Sequence, residues 1–196
     1  MAFINPEAKV IHCKVVYYGP SLGGKTTNVR WIYHKTAGKD HSDLSEFPAD
    51  PERTLFFDFL PMDVGDIRGL RTRFHLFSVP GQVRYDASRK LILKGIDGVV
   101  FVADSQIERM DENIEAMRNL EKNLEQQGYD LRKIPLVIQY NKRDLPNIAS
   151  VAELRAALNK YNAPDFEATA SIGRGVMESL STVAKGIVTT LKGGDL

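Results

Sequence analysis

The chain has 196 residues, 43% of them apolar and 26% charged, enough to bury the core of one domain. A net charge of +1 with no long Lys/Arg run excludes an electrostatic nucleic-acid surface, so no nucleic-acid partner is expected. The one cysteine, Cys13, excludes an intrachain disulfide, as in cytosolic proteins, and reads as a small strand hydrophobe rather than a reactive thiol.

In chain order, Phe3–Glu7 reads as an extra short N-terminal strand and turn, followed by a long strand over about Lys9–Tyr18. Gly19-Pro20-Ser21-Leu22-Gly23-Gly24-Lys25-Thr26 comes next, and then a helix with Val29, Ile32 and Tyr33 at i, i+3, i+4 spacing. This is the G-x-x-x-x-G-K-[ST] phosphate loop in its strand–loop–helix setting. Glycines let backbone N–H groups converge on phosphate oxygens, and the helix N-terminus adds its dipole. The expected phosphate-binding set is Gly19, Ser21, Leu22, Gly23, Gly24, Lys25, Thr26 and Thr27. Lys25 supplies charge to the outer phosphates, and the Thr26 hydroxyl is the expected Mg²⁺ ligand.

Lys39–Pro51 is polar and reads as a loop. Strands are expected over Thr54–Leu60 and Gly69–Val79. The turn-rich connector Pro61–Asp66 is too short for a crossover helix, so the two form an antiparallel hairpin. Pro80-Gly81 ends the second strand, and a helix runs through Arg89–Leu93. Val99–Ala103 is wholly apolar, the mark of a strand covered on both faces. The following helix places Ile107, Met110, Ile114, Met117 and Leu124 on one stripe. Pro135–Tyr140 is a second buried strand, ending at Asn141. A helix at Val151–Lys160, a strand at Phe166–Ala170 and a helix carrying Val176, Leu180, Val183, Ile187 and Leu191 complete the chain. Trp31 reads as a helix anchor at the edge of the core, and His12, His34, His41 and His75 show no metal-ligand spacing. Strands alternating with helices give an α/β, doubly wound, mostly parallel fold, one domain over residues 1–196, with ligand at the carboxyl ends of the strands.

Asn141-Lys142-Arg143-Asp144 sits at such a strand end. The Asp144 carboxylate can accept hydrogen bonds from the ring N–H and exocyclic amine of guanine; adenine would leave it buried and unpaired. The Lys142 stem can lie over the base while Asn141 braces the loops. With the phosphate loop, this tetrapeptide selects a guanine nucleotide, GTP or GDP.

The motifs then converge. The chain resembles a Ras-like small GTPase, and most closely the bacterial MglA family of cell-polarity and gliding-motility GTPases. The resemblance runs through Tyr17–Pro20, Gly24–Asn28, Glu52–Pro61, Arg73–Leu76, Val79–Val83, Ser88–Leu93 and Asn141–Pro146. It implies a P-loop G domain acting as a GTP-hydrolysing switch with GTP/GDP and Mg²⁺. Thr54 matches the first-switch threonine that senses the γ-phosphate and ligates Mg²⁺. Gln82 matches the glutamine that orients the attacking water, with Gly81 before it. Arg53 matches the family's built-in arginine finger, a device worth roughly 10³–10⁵ in rate. The usual D-x-x-G reads Ser78-Val79-Pro80-Gly81 here, so its carboxylate is missing and Asp58 is the expected replacement. The resemblance also implies that the first-switch strand slides between nucleotide states. Thr169-Ala170-Ser171 resembles the base-contacting S-A-K loop, with an Ala170 N–H toward the guanine oxygen and Ser171 in place of lysine.

The implied partners are a Roadblock-type (MglB-like) GTPase-activating protein and polarity or motility effectors at the switch surface, around residues 53–60 and 82–90. A competing reading is a nucleotide-gated scaffold with negligible hydrolysis. No apolar run is long enough to span a bilayer, Ala2 stands where myristoylation needs glycine, and the last residues lack a prenylatable cysteine. The expected location is therefore cytoplasmic without a direct membrane anchor, with recruitment to a cell pole by protein partners.

Overall fold

The computed structural model describes residues 3–5, 9–36, 66–67, 69–79 and 86–193. Its strands are β1 (Phe3–Asn5), β2 (Val10–Tyr18), β3 (Asp66–Ile67), β4 (Leu70–Ser78), β5 (Gly98–Asp104), β6 (Leu136–Asn141) and β7 (Asp165–Glu167). The helices are α1 (Lys25–Thr36), α2 (Asp86–Leu93), α3 (Met110–Glu125), α4 (Val151–Leu158) and α5 (Val176–Gly193). One sheet runs in the order β3-β4-β2-β5-β6-β7, with β1 paired antiparallel to the start of β2. From β4 to β7 every pairing is parallel.

Both faces of this sheet are covered, and the composition of the strands follows from that. Every residue of β5 and of β6 is buried. Along β2 the residues alternate between two cores. Ile11, Cys13, Val15 and Tyr17 join Val29 and Ile32 of α1 and the Val176–Ile187 face of α5. Val16 and Tyr18 join Ile92 and Leu93 of α2, Met117, Leu120 and Leu124 of α3, and Leu154 and Leu158 of α4. Cys13 is fully buried, as its reading as a core hydrophobe requires. Trp31 is half-buried against the α1–α5 core. Its indole lies over Gly173, where a Cβ would stand 1.9 Å from ring atom Cε2.

Three expectations need correction. The described antiparallel partner of β4 is β3, in register Asp66↔Arg71 and Ile67↔Leu70. Asp66 belongs to a strand rather than to the turn; the expected strand Thr54–Leu60 lies outside the described residues. Ile107 is not on the buried stripe of α3. It lies on a 3-10 turn, Ile107–Arg109, and is 53% exposed, because the chain must first pass over the strand ends before α3 begins. The last strand ends at Glu167, so residues 168–170 form the loop that leaves it.

Helix α4 begins with a reciprocal capping box in which Ser150 Oγ accepts from the Glu153 N–H and the Glu153 carboxylate accepts from the Ser150 N–H. This fixes where the loop after β6 ends. At the carboxyl edge of the sheet, Gly19, Asp104, Asn141 and Ala168 follow or close four neighbouring strands, and the loops they carry meet there.

Candidate nucleotide site

The phosphate loop connects the end of β2 to α1. The Gly23 N–H returns to the Pro20 carbonyl at 3.3 Å, and the Asn28 N–H bonds the Gly24 carbonyl at 3.0 Å, opening the helix. No acidic residue lies in the first turn of α1, so its positive end is left for an anion. Gly24 has φ +99°, and a Cβ there would stand 2.1 Å from Asn141 Nδ2. Leu22 adopts φ +60° and is 80% exposed, a left-handed conformation unusual for leucine.

Lys25 is only 6% exposed. Its ammonium donates to the carbonyls of Gly19, at 3.1 Å, and Pro20, at 2.5 Å. Burial, aided by the charges of Arg89 and Arg109, lowers its pKa to about 7. A cation held by loop carbonyls beside a helix N-terminus, under a glycine with no room for a side chain, fits a polyphosphate. Thr26 is half-buried and Thr27 exposed. Ser78, the residue standing for the missing D-x-x-G carboxylate, pairs across the ladder with Tyr17. Its hydroxyl is buried and has no hydrogen-bond partner among the described residues. An orphaned hydroxyl beside the start of the phosphate loop suits a bound Mg²⁺ or its water.

The base side is built by two loops. Asn141 Nδ2 donates to the Gly23 carbonyl at 2.9 Å, and Asn141 Oδ1 accepts the Ala170 N–H at 2.9 Å. One amide therefore joins the phosphate loop, its own loop and the loop after β7. Lys142 takes φ +65°, and its ammonium meets Asp104 Oδ2 at 2.6 Å. Asp144 is exposed, not buried as the argument against adenine assumed. Its discrimination acts only once a base covers it, because a carboxylate in water loses nothing by lacking a partner. Arg143 points away, to Glu167 at 3.0 Å and the Ala149 carbonyl at 2.7 Å. Thr169 and Ala170 are buried and Ser171 is exposed at the loop tip. The Ala170 N–H that sequence reasoning assigns to the guanine oxygen is donated here to Asn141.

Among the expected site residues, Asn141 is the last residue of β6, and those from Gly19 to Thr27, from Lys142 to Asp144, and Ala170 and Ser171 lie on loops or a helix start at the carboxyl edge of the sheet. Arg53, Thr54, Asp58, Gly81 and Gln82 lie outside the described residues. Sequence reasoning missed Asn28, Asp104, Arg109 and Gln139. Asn28 and Gln139 are fully buried and paired, and a glutamine inside the apolar run Leu136–Tyr140 was the available signal.

The model of the ADP-ribosylation factor family matches residues 58–188. The chain is 61% identical over 194 residues to mutual gliding-motility protein MglA of Myxococcus xanthus (strain DK1622), covering 99% of this chain and 100% of that one. The chain belongs to the MglA family of Ras-like small GTPases. As a family member it is a GTP-binding switch that hydrolyses GTP, and the scaffold reading is not favoured. More remote likenesses include Ras-related protein RABG3f of Arabidopsis thaliana, 28% identical over 97% of this chain and 87% of that one. ADP-ribosylation factor-like protein 4A of Homo sapiens is 35% identical over 43% of this chain and 40% of its own length. No described helix is long and apolar enough to cross a membrane.

Proposed function

We propose that the chain binds GTP between the phosphate loop and the 141–144 loop, and acts as a motility or polarity switch like its gliding-motility relative. The observation that carries this reading is the Asn141 side chain, bonded at 2.9 Å to both Gly23 and Ala170. It makes base recognition and phosphate binding parts of one rigid unit. Lys25 leaves its carbonyl partners for the outer phosphates, and N–H groups of residues 21–27 surround them. Asp144 accepts from the ring N–H and amine of guanine, and the Lys142 stem covers the base. The 169–171 loop contacts the guanine oxygen, with Ala170 sharing its N–H between Asn141 and the base.

Thr26 and Thr54 would hold Mg²⁺, which supplies positive charge to the β- and γ-phosphates when bound. Gln82, next to Gly81, orients the attacking water. Arg53 neutralises charge on the transferring phosphoryl group, so an activating partner of the MglB-like Roadblock type needs only to position it. Effectors of polarity or motility dock on the switch surface when GTP is bound, and such partners carry the cytoplasmic chain to a cell pole.

The test is phosphate release by wild type, Arg53→Ala and Gln82→Leu, each with and without a purified Roadblock-type protein. Stimulated multiple turnover by wild type, with a loss of at least about 10² in both variants, is expected. Equal rates in all three would remove Arg53 and Gln82 from the mechanism. Displacement of labelled GTP by an equal concentration of ATP would remove the guanine assignment.

A further inference from the structure

One arginine at the start of α3 touches both halves of the nucleotide site. Arg109 closes the 3-10 turn before α3, and its side chain is 24% exposed. Its Nη2 donates to the Ser21 carbonyl at 2.8 Å, and its Nη1 to Glu112 Oε1 at 2.5 Å. Its Nε lies 3.8 Å from Asp104 Oδ2, the same oxygen that holds the Lys142 ammonium at 2.6 Å.

Asp104 is itself immobilised. Its side chain is fully buried, and its Oδ1 accepts the Gln106 N–H at 3.1 Å. Its backbone N–H and carbonyl are both bonded by the Asn113 amide, at 2.9 and 2.7 Å. Arg109 is thus fixed at its base by α3 and its neighbours, and holds the Ser21 carbonyl, while Lys25 holds those of Gly19 and Pro20 and Asn141 that of Gly23.

The consequence follows from peptide planarity. In a trans peptide the carbonyl of one residue and the N–H of the next point in opposite directions. With the Ser21 oxygen drawn toward Arg109, the Leu22 N–H faces away from α3. Leu22 also holds a left-handed conformation, at φ +60°, that is unfavourable for a residue with a Cβ. Such a conformation persists only where neighbouring contacts impose it.

We propose that Arg109 is a positioning residue for the nucleotide: it locks the Ser21–Leu22 peptide with its N–H toward the phosphates and, through Asp104, ties that peptide to the base-covering Lys142. The inference rests on the phosphate loop and the 141–144 loop being the two ends of the nucleotide site. Arg109 itself touches no nucleotide atom in this role. Its contribution is to the grip on the phosphate beyond the first, where the central peptides of the loop act.

The test is the affinity of wild type, Arg109→Ala and Arg109→Lys for GDP and for GMP, by displacement of a fluorescent GDP in the presence of Mg²⁺. A hydrogen bond to a charged group predicts a loss of about tenfold to a hundredfold in GDP affinity for Arg109→Ala. GMP affinity should change by less than about threefold, narrowing the GDP-to-GMP ratio, and Arg109→Lys should recover part of it because a charged donor nitrogen remains for the Ser21 carbonyl. A merely structural role would weaken both nucleotides alike. Equal losses for GDP and GMP, or a GDP affinity within twofold of wild type, overturn the proposal. If Arg109→Ala does not fold, as judged by circular dichroism, the GDP-to-GMP ratio of Arg109→Lys decides between the same two outcomes. Wild type that fails to bind GDP would instead sink the underlying nucleotide reading.

Discussion

Asn28 and Gln139, 111 positions apart, exchange both of their side-chain amide hydrogen bonds, at 2.8 and 3.0 Å, and neither is exposed. Gln139 adds Ser179 Oγ at 3.1 Å, and Asn28 returns to the Gly24 carbonyl at 3.0 Å. Helix α1, strand β6 and helix α5 are therefore pinned together one turn beyond the phosphate loop. Gln139→Leu should cost about 1–3 kcal/mol, because it strands the Asn28 amide in a core that cannot solvate it. Urea unfolding of Gln139→Leu, Asn28→Ala and the double variant checks this. A double-variant loss equal to the sum of the singles would mean that the pair is not coupled.

Gly24→Ala should remove nucleotide binding with little loss of fold. The added methyl would stand 2.1 Å from Asn141 Nδ2, so Asn141 must leave either Gly23 or Ala170. GDP affinity should fall by at least about 10², since loop geometry and base-loop register are lost together. Combining it with Asn141→Ala should add little further loss, measured by calorimetry. Full additivity would show that the glycine acts elsewhere.

The nucleotide should carry a proton into the site. Lys25 titrates at about 7 in the free protein, depressed first by burial and then by Arg89 and Arg109. Phosphate oxygens beside the ammonium favour its charged form and raise that value. Above pH 7 the free lysine is increasingly neutral while the bound one stays charged, so binding takes up a proton and affinity falls as pH rises. The slope approaches about tenfold per pH unit at most. Calorimetry of GDP binding at pH 8, in buffers of different ionisation enthalpy, should show uptake approaching one proton. Enthalpies independent of the buffer would contradict this.

How much of this was legible in the sequence varies by element. The two-core strand pattern, the phosphate loop and the 141–144 loop follow from local spacing, since periodicity and glycine placement are short-range properties. The parts that were not legible depend on long-range partners. Arg109 reads as an ordinary charge before a helix, and only the fold brings it to Ser21, 88 positions away. Asp104 looks like a strand-end carboxylate until Lys142 and Arg109 share it. Ile107 was misplaced because a helical stripe extended backwards by one turn looks identical in sequence whether or not the chain has begun to coil.

The Cys13 thiol should be inert in the folded chain. Burial, with the Asp97 carboxylate adding to it, raises its pKa from 9.0 to about 12. A thiol-specific disulfide reagent at pH 8 should label it only in denaturant, because the thiolate is the reacting form. The folded value lies above the unfolded one, so this contribution to stability is complete below pH 9.0 and is lost as pH rises toward 12. Rapid labelling of the native protein at pH 8 would show that the β2 core opens readily.

The chain has one tryptophan, and its indole rests on Gly173, two residues past the tip of the loop that would meet the purine. Any rearrangement of that loop on base capture changes what the ring touches and how much solvent reaches it. The chain thereby contains its own optical probe, and its ultraviolet emission would track the arrival and departure of unlabelled guanine compounds in real time.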